Sequence, residues 1–268
     1  MRDRTDRPAL PATRPIITLT SDFGLSDHYV AAMKAVLIRT CPQARLIDVT
    51  HNVPRHDILC GSITLERAID GFPPETVHLA VVDPGVGTDR RLIIGRIKQQ
   101  YVVCPDNGLI TWASAVHGRD WVREITWRPK TSSATFHGRD VMAPTAARIA
   151  CGDDLREFSR EIDDPVLLKD LTPPANNGDL PPRGKIIHID HFGNATTNIR
   201  QEVLRKLPSA NVKIRRRTIG RLKKTYWDVA PGKPLALIGS SGLLEIAVRD
   251  GSAKEQLKVR VGDEVVLR

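Results

Sequence analysis

Apolar positions along the first two thirds of this chain recur with two different periods. A short run at 16–20 (Ile-Ile-Thr-Leu-Thr) predicts a buried strand. Tyr29, Val30, Met33, Val36 and Leu37 follow at helical spacing, with Ser26 or Asp27 as the expected cap and Pro42 as the stop. Residues 44–49 and 77–82 predict further strands, and 57–69 a helix with Ile58, Ile63, Leu65, Ala68 and Ile69 in phase. Residues 92–97 and 101–104 predict a hairpin, and 141–151 another helix. Strands alternating with helices imply a mostly parallel sheet covered on both faces.

The pattern changes after a stretch rich in Pro, Asn and Gly at 171–184. Short strands are then expected at 185–189, 210–214, 235–238, 244–248, 257–259 and 264–267, several separated by turns such as Asp250-Gly251 and Gly262-Asp263. That spacing suits a small antiparallel barrel. The expected organisation is a disordered tail at 1–15, an α/β domain at 16–170, a linker at 171–183 and a β-barrel domain at 184–268. The fold class is α/β: a sandwich with a mostly parallel sheet, followed by an antiparallel β-barrel.

With 268 residues, 41% hydrophobic and 26% charged, the chain has the size and composition of a soluble globular protein. No apolar run approaches the roughly 18 residues that read as a membrane span. Residues 1–15 carry Arg2, Arg4, Arg7 and Arg14 and lack the apolar centre of a secretory signal. Cys41, Cys60, Cys104 and Cys151 form no C-x-x-C pair, which predicts reduced, buried thiols in a cytoplasmic protein. The net charge of +9 is unevenly placed: residues 184–268 hold 17 Lys and Arg against 8 Asp and Glu, and 1–183 are neutral. The excess is densest at Lys213, Arg215, Arg216, Arg217, Arg221, Lys223 and Lys224. This is read as a solvated hairpin face, with nucleic-acid binding as the alternative.

Three apolar strands run directly into an Asp beside a turn former. They are Thr20-Ser21-Asp22-Phe23-Gly24, Val82-Asp83-Pro84-Gly85-Val86-Gly87 and Cys104-Pro105-Asp106-Asn107-Gly108. Ligands of open α/β sheets bind where strands end at their carboxyl side. Three carboxylates delivered there suit a hydroxyl-rich, positively charged small molecule, although any one of them alone is explained by capping or turn formation. Gly85 and Gly87 lack the third glycine of a dinucleotide loop and are read as permitting close backbone approach. His51 and His56 lack the flanking ligands that a metal site needs.

The ordered motifs T-S-D-F-G-x-x-D-x-Y-V-A-A-M-K (20–34), I-D-V-T-H (47–51), V-V-D-P-G-V-G-T-D-R-R (81–91), P-D-N-G (105–108), F-H-G-R-D (136–140), D-H-F-G-N-A-T-T-N-I (190–199) and G-S-S-G-L-L-E-I-A-V (239–248) resemble one family. It is the S-adenosylmethionine (SAM) hydroxide adenosyltransferases, in the superfamily that also holds SAM-dependent fluorinases and chlorinases. The resemblance implies hydrolysis of SAM to adenosine and L-methionine, no metal or other cofactor, and a homotrimer with sites between subunits. It implies Asp83, Arg90 and His137 as the group preparing water, either His137 or Asp83 taking its proton. It places Asp22 on the ribose hydroxyls, Asp27 and Asp190 at the methionine ammonium, and Ser240 near the carboxylate. Asn194 would meet the adenine edge, with Phe192 as a stacking surface, Glu245 near adenine, and Asp106 and Asn107 lining the cleft. The alternatives are a halogenase of the same fold and a non-catalytic nucleic-acid- or adenosine-binding protein.

Overall fold

The computed structural model describes residues 14–169 and 182–268. Most of the expected tail and linker therefore lies outside the described residues. The chain divides into two compact units between Val166 and Leu167.

In the first unit β1 (Ile16–Ser21), α1 (Tyr29–Thr40), β2 (Arg45–Thr50), α2 (Ile58–Gly71) and β3 (Val77–Val81) alternate. After them come β4 (Leu92–Ile97), β5 (Gln100–Pro105), α3 (Thr111–His117), β6 (Trp121–Ile125), α4 (Ala143–Cys151) and β7 (Ser159–Ile162). The strands form one sheet in the order β2-β1-β3-β5-β4-β6-β7. The ladders β2-β1, β1-β3 and β3-β5 are parallel. The expected β4-β5 hairpin reverses direction, and the pairings from there to β7 are antiparallel, so the sheet is mixed.

Strand β3 shows why apolar runs here are continuous. Val77, Leu79 and Val81 share a core with Met33 and Leu37 of α1 and with Ala143, Ala146 and Ala147 of α4. Ala80 and Val82 share another with Leu65 and Ile69 of α2 and Ala113 of α3. Burial on both faces removes the polar alternation that marks a half-solvated strand. His78 interrupts this run because it is fully hydrogen-bonded: its ring nitrogens lie 2.7 Å from Thr18 Oγ1 and 2.7 Å from Gln100 Oε1. Burial brings its pKa down to about 4, so at neutral pH it is an uncharged tie between strands.

Several local expectations need correction. Neither Ser26 nor Asp27 caps α1; the helix starts from His28, whose carbonyl accepts the Ala32 N–H. The helix expected from 141 is α-helical only from Ala143, after a π-helical turn at Gly138–Met142. Pro144 explains the boundary, since a residue without an N–H is tolerated in a helix's first turn. Cys151 is exposed rather than buried.

The second unit contains β8 (Arg183–Ile189), β9 (Ala195–Arg200), α5 (Gln201–Arg205), β10 (Asn211–Ile214), β11 (Arg217–Lys223), β12 (Pro234–Ile238), β13 (Leu243–Val248), α6 (Ala253–Gln256) and β14 (Glu264–Leu267). These strands close into a barrel in the order β10-β11-β12-β13-β9-β8-β14, antiparallel except at β11-β12. Ile186, Ala195, Val212, Ile214, Ala236, Leu244 and Ile246 belong to its core. The strand expected at 257–259 is absent. Ser252 caps the helical turn α6, and Lys258 adopts a φ of 58° that breaks an extended run. Leu257 and Val259 still reach the core, which is what the apolar alternation reported. The basic segment forms the hairpin β10-β11, with Arg215 and Arg216 at its turn. Among the described residues, no helix is long and apolar enough to cross a membrane.

Candidate active site

Asp83 leaves the carboxyl end of β3 and enters the glycine loop. Gly87 has a φ of 85°, and a side chain there would meet the Ala134 carbonyl at 2.9 Å. A Cβ at Gly85 would sit 3.1 Å from Arg90 Cδ. The loop therefore has room for Arg90 to fold back on Asp83. Arg90 Nε donates to Asp83 Oδ1 at 2.6 Å and Nη2 to Oδ2, a two-pronged pair. Its side chains are only 10% and 5% exposed.

The remaining Arg90 arm reaches His137, with Nη1 3.1 Å from Nδ1. A guanidinium only donates, so Nδ1 must accept, and the imidazole is neutral with its proton on Nε2. Burial, reinforced by the positive charges of Arg90 and Arg128, holds the His137 pKa below the ordinary histidine value. His137 stands at the start of the π-helical turn, a type of irregularity that recurs at functional sites. Asp140 pins the approach to it by accepting from the Ser133 N–H at 2.8 Å and from Arg139.

Packing joins this cluster to the end of β1. The rings of Phe23 and Phe136, neighbours of Asp22 and His137, meet edge to face at 5.9 Å, and Tyr29 lies 5.4 Å from Phe136. Asp22 is half-buried, and its Oδ2 accepts the His56 N–H at 2.9 Å. Asp27 is exposed in the segment before α1. Asp106 has a different situation: its side chain is 1% exposed and ion-paired with Arg91 at 2.7 Å, and it also accepts the Val166 N–H at 2.8 Å. Both oxygens are engaged in fastening chain segments. Asn107 Nδ2 donates to the Val82 carbonyl at 2.9 Å, tying β5's end to the residue before Asp83, while its Oδ1 is buried without a partner among the described residues.

The other expected residues lie on the second unit. The chain turns tightly at 190–194, where Asp190 Oδ1 accepts the Asn194 N–H at 2.8 Å and Oδ2 faces Asn194 Nδ2 at 3.2 Å. Phe192 is 73% exposed and, with Asn194, Tyr226, Trp227 and Arg249, lines a pocket of about 510 Å³. Trp227 is 75% exposed and carries the Arg249 guanidinium 3.9 Å above its ring. Tyr226 donates to Glu245 Oε1 at 2.6 Å, and burial together with that carboxylate raises the phenol's pKa. Ser240 is exposed in the turn after β12. Exposed aromatics gathered in one concavity indicate a binding surface.

Tyr226, Trp227, Arg249 and Arg128 were not selected from the sequence. A signal existed for the first two. With Phe192 they are all the aromatic residues between Leu167 and Arg268, and all three line this pocket.

Comparison with known proteins agrees with the motif order. Residues 17–159 match the N-terminal domain, and 184–266 the C-terminal domain, of SAM hydroxide adenosyltransferases. The chain is 40% identical over 263 residues to an (R)-S-adenosyl-L-methionine hydrolase from Salinispora tropica, covering 95% of this chain and 98% of that one. A fluorinase from Nocardia brasiliensis is more distant, at 27% identity over 291 residues, 95% of this chain and 97% of its own. A crystal structure of an uncharacterized conserved protein from Thermotoga maritima superimposes with a TM-score of 0.85 at 38% identity, over 94% of this chain and all of that one. With both domains matched in order, this chain belongs to the SAM hydroxide adenosyltransferase family.

Proposed function

We propose that the protein hydrolyses SAM to adenosine and L-methionine, with water attacking the ribose C5′. The observation that carries this is the Asp83–Arg90–His137 contact set at the end of β3, in a chain of this family. The O–C5′ bond forms as the C5′–S bond breaks, and its electron pair returns to sulfur. Methionine then leaves as a neutral thioether, so the leaving group needs no acid. The demand falls on water, which must be aligned opposite the C–S bond and lose a proton. Alignment contributes up to ~7–11 kcal/mol in ideal cases and base catalysis typically ~10²–10⁴-fold.

The contact geometry supports the following division of these tasks. With Nδ1 turned to Arg90, His137 offers an Nε2–H that orients the water oxygen. Asp83 keeps unused lone pairs on both oxygens and takes the proton, while Arg90 favours the hydroxide that forms. Asp22 holds the ribose hydroxyls. Asn194 and Phe192 receive the adenine, and Asp27, Asp190 and Ser240 the methionine end, with Glu245 lining the adenine side. Incubation with SAM in oxygen-18 water is expected to label adenosine at the 5′ oxygen. Adenosine without label, or 5′-halo-5′-deoxyadenosine at millimolar chloride or fluoride, would refute water as the nucleophile.

The same proposal includes a homotrimer whose sites are completed between subunits, supported by the family resemblance. Sedimentation at working concentration should give the mass of three chains. A monomer with full activity would contradict this part.

A further inference from the structure

The loop after β2 carries two histidines that the hydrolytic group does not use. His51 is buried, with a side chain 2% exposed, and its Nδ1 lies 2.7 Å from Ser21 Oγ. On its other side Nε2 lies 3.1 Å from Asp48 Oδ1, a contact poorly aligned for a hydrogen bond, and Asp48 Oδ2 accepts from Lys34 at 2.6 Å. Lys34, Asp48, His51 and Ser21 thus form a polar chain running inward from the surface. Its order of Asp, His and Ser resembles a nucleophilic triad, but Ser21 is completely buried and no substrate atom can reach its Oγ.

The chain ends beside Asp22. Ser21 Oγ also receives the Phe23 N–H at 3.4 Å. Around it the 51–56 loop grips the turn after β1 through its backbone. Gly24 N–H donates to the His51 carbonyl at 2.7 Å, and Val53 N–H to the Ser21 carbonyl at 3.3 Å. The His56 N–H reaches the Asp22 carboxylate itself. Two irregularities set these contacts. The β1-β2 register shifts between Leu19 and Thr20, bringing Thr20 opposite Thr50 and placing His51 just past the pairing, next to Ser21. His56 holds a φ of 64°, an uncommon conformation for a residue other than glycine, which costs free energy unless its surroundings impose it. Bulges and strained residues of this kind concentrate where a side chain must be aimed.

We propose that His51, acting through Ser21, is a positioning residue that fixes Asp22 for its ligand, with the His56 N–H holding one carboxylate oxygen so that the other faces the ribose. This rests on the assignment of Asp22 to ribose binding given above. The role concerns ground-state affinity, since among the described residues Lys34, Asp48, His51 and Ser21 make no hydrogen bond to Asp83, Arg90 or His137.

The test measures adenosine affinity by calorimetry, KM and kcat for SAM, and melting temperature, in wild type, His51→Ala, His51→Asn and Ser21→Ala. Asparagine can present an acceptor near the Nδ1 position, so His51→Asn should recover most of the affinity. His51→Ala and Ser21→Ala should each weaken adenosine binding and raise KM by about 10-fold, with kcat changed less than about 2-fold. A purely structural role would lower the melting temperature and leave affinity per folded molecule intact. Unchanged adenosine affinity in soluble His51→Ala and Ser21→Ala overturns the proposal, as does a loss confined to kcat. If His51→Ala does not fold, Ser21→Ala decides alone. A wild-type protein that fails to bind adenosine would instead remove the ribose assignment, and this inference with it.

Discussion

Arg90→Ala and His137→Ala should each slow SAM turnover by about 10²-fold or more while changing adenosine affinity little. Arg90 is bonded to both of the others, so its removal frees Asp83 and leaves a nearly buried carboxylate without a partner. His137→Ala removes the Nε2–H proposed to orient water and also leaves Arg90 Nη1 without its Nδ1 acceptor. The losses should not add in the double variant, because the three side chains act as one unit. A pH profile supplies an independent check. Burial and two neighbouring guanidiniums keep His137 neutral below the ordinary imidazole range. Its neutral form is therefore retained as pH falls through about 6.5, and activity should decline only at lower pH. Wild-type activity in both single variants, or an acid limb above the ordinary histidine value, would be incompatible with the proposed roles.

Asp22→Ala should chiefly weaken binding. Loss of a charged acceptor from ribose hydroxyls costs about 1.5–3 kcal/mol, or roughly 10- to 150-fold in adenosine affinity. The substitution also leaves the His56 N–H without its acceptor. Asp22→Asn separates the two effects: it keeps an oxygen for His56 but gives up the charge, and should fall between alanine and wild type. Calorimetry showing unchanged adenosine affinity in Asp22→Ala would reject the ribose assignment.

In the barrel, Trp227 and Phe192 are exposed in one pocket that hydrophobic patterning does not find. Patterning reports which residues are withdrawn from water, and these two are not. The same limitation explains the elements that were not anticipated. Strand β9 presents Thr196, Thr197 and Asn198 as buried polar residues, whereas β11 falls in the basic segment already read as a hairpin face. Strands β6 and β7, the latter at the sheet edge, are short elements whose polar residues carry little periodic signal. At 257–259 the alternation was genuine but belonged to a non-strand segment inserted in the core.

The sequence by itself determined the βα alternation, the hairpin that reverses the sheet, the change to short strands in the barrel and the family. These depend on periodicity and on motif order, both of which are local along the chain. Tertiary structure decided what each carboxylate does. Asp22, Asp83 and Asp106 leave their strands in the same way, yet one meets a backbone N–H in a half-open turn, one is clasped by Arg90, and one is buried against Arg91. The partners come from 34, 7 and 15 residues away. Hydrogen-bond partners at such separations are set by sheet order and loop packing, so the three equivalent motifs acquire different chemistry only once the chain has folded.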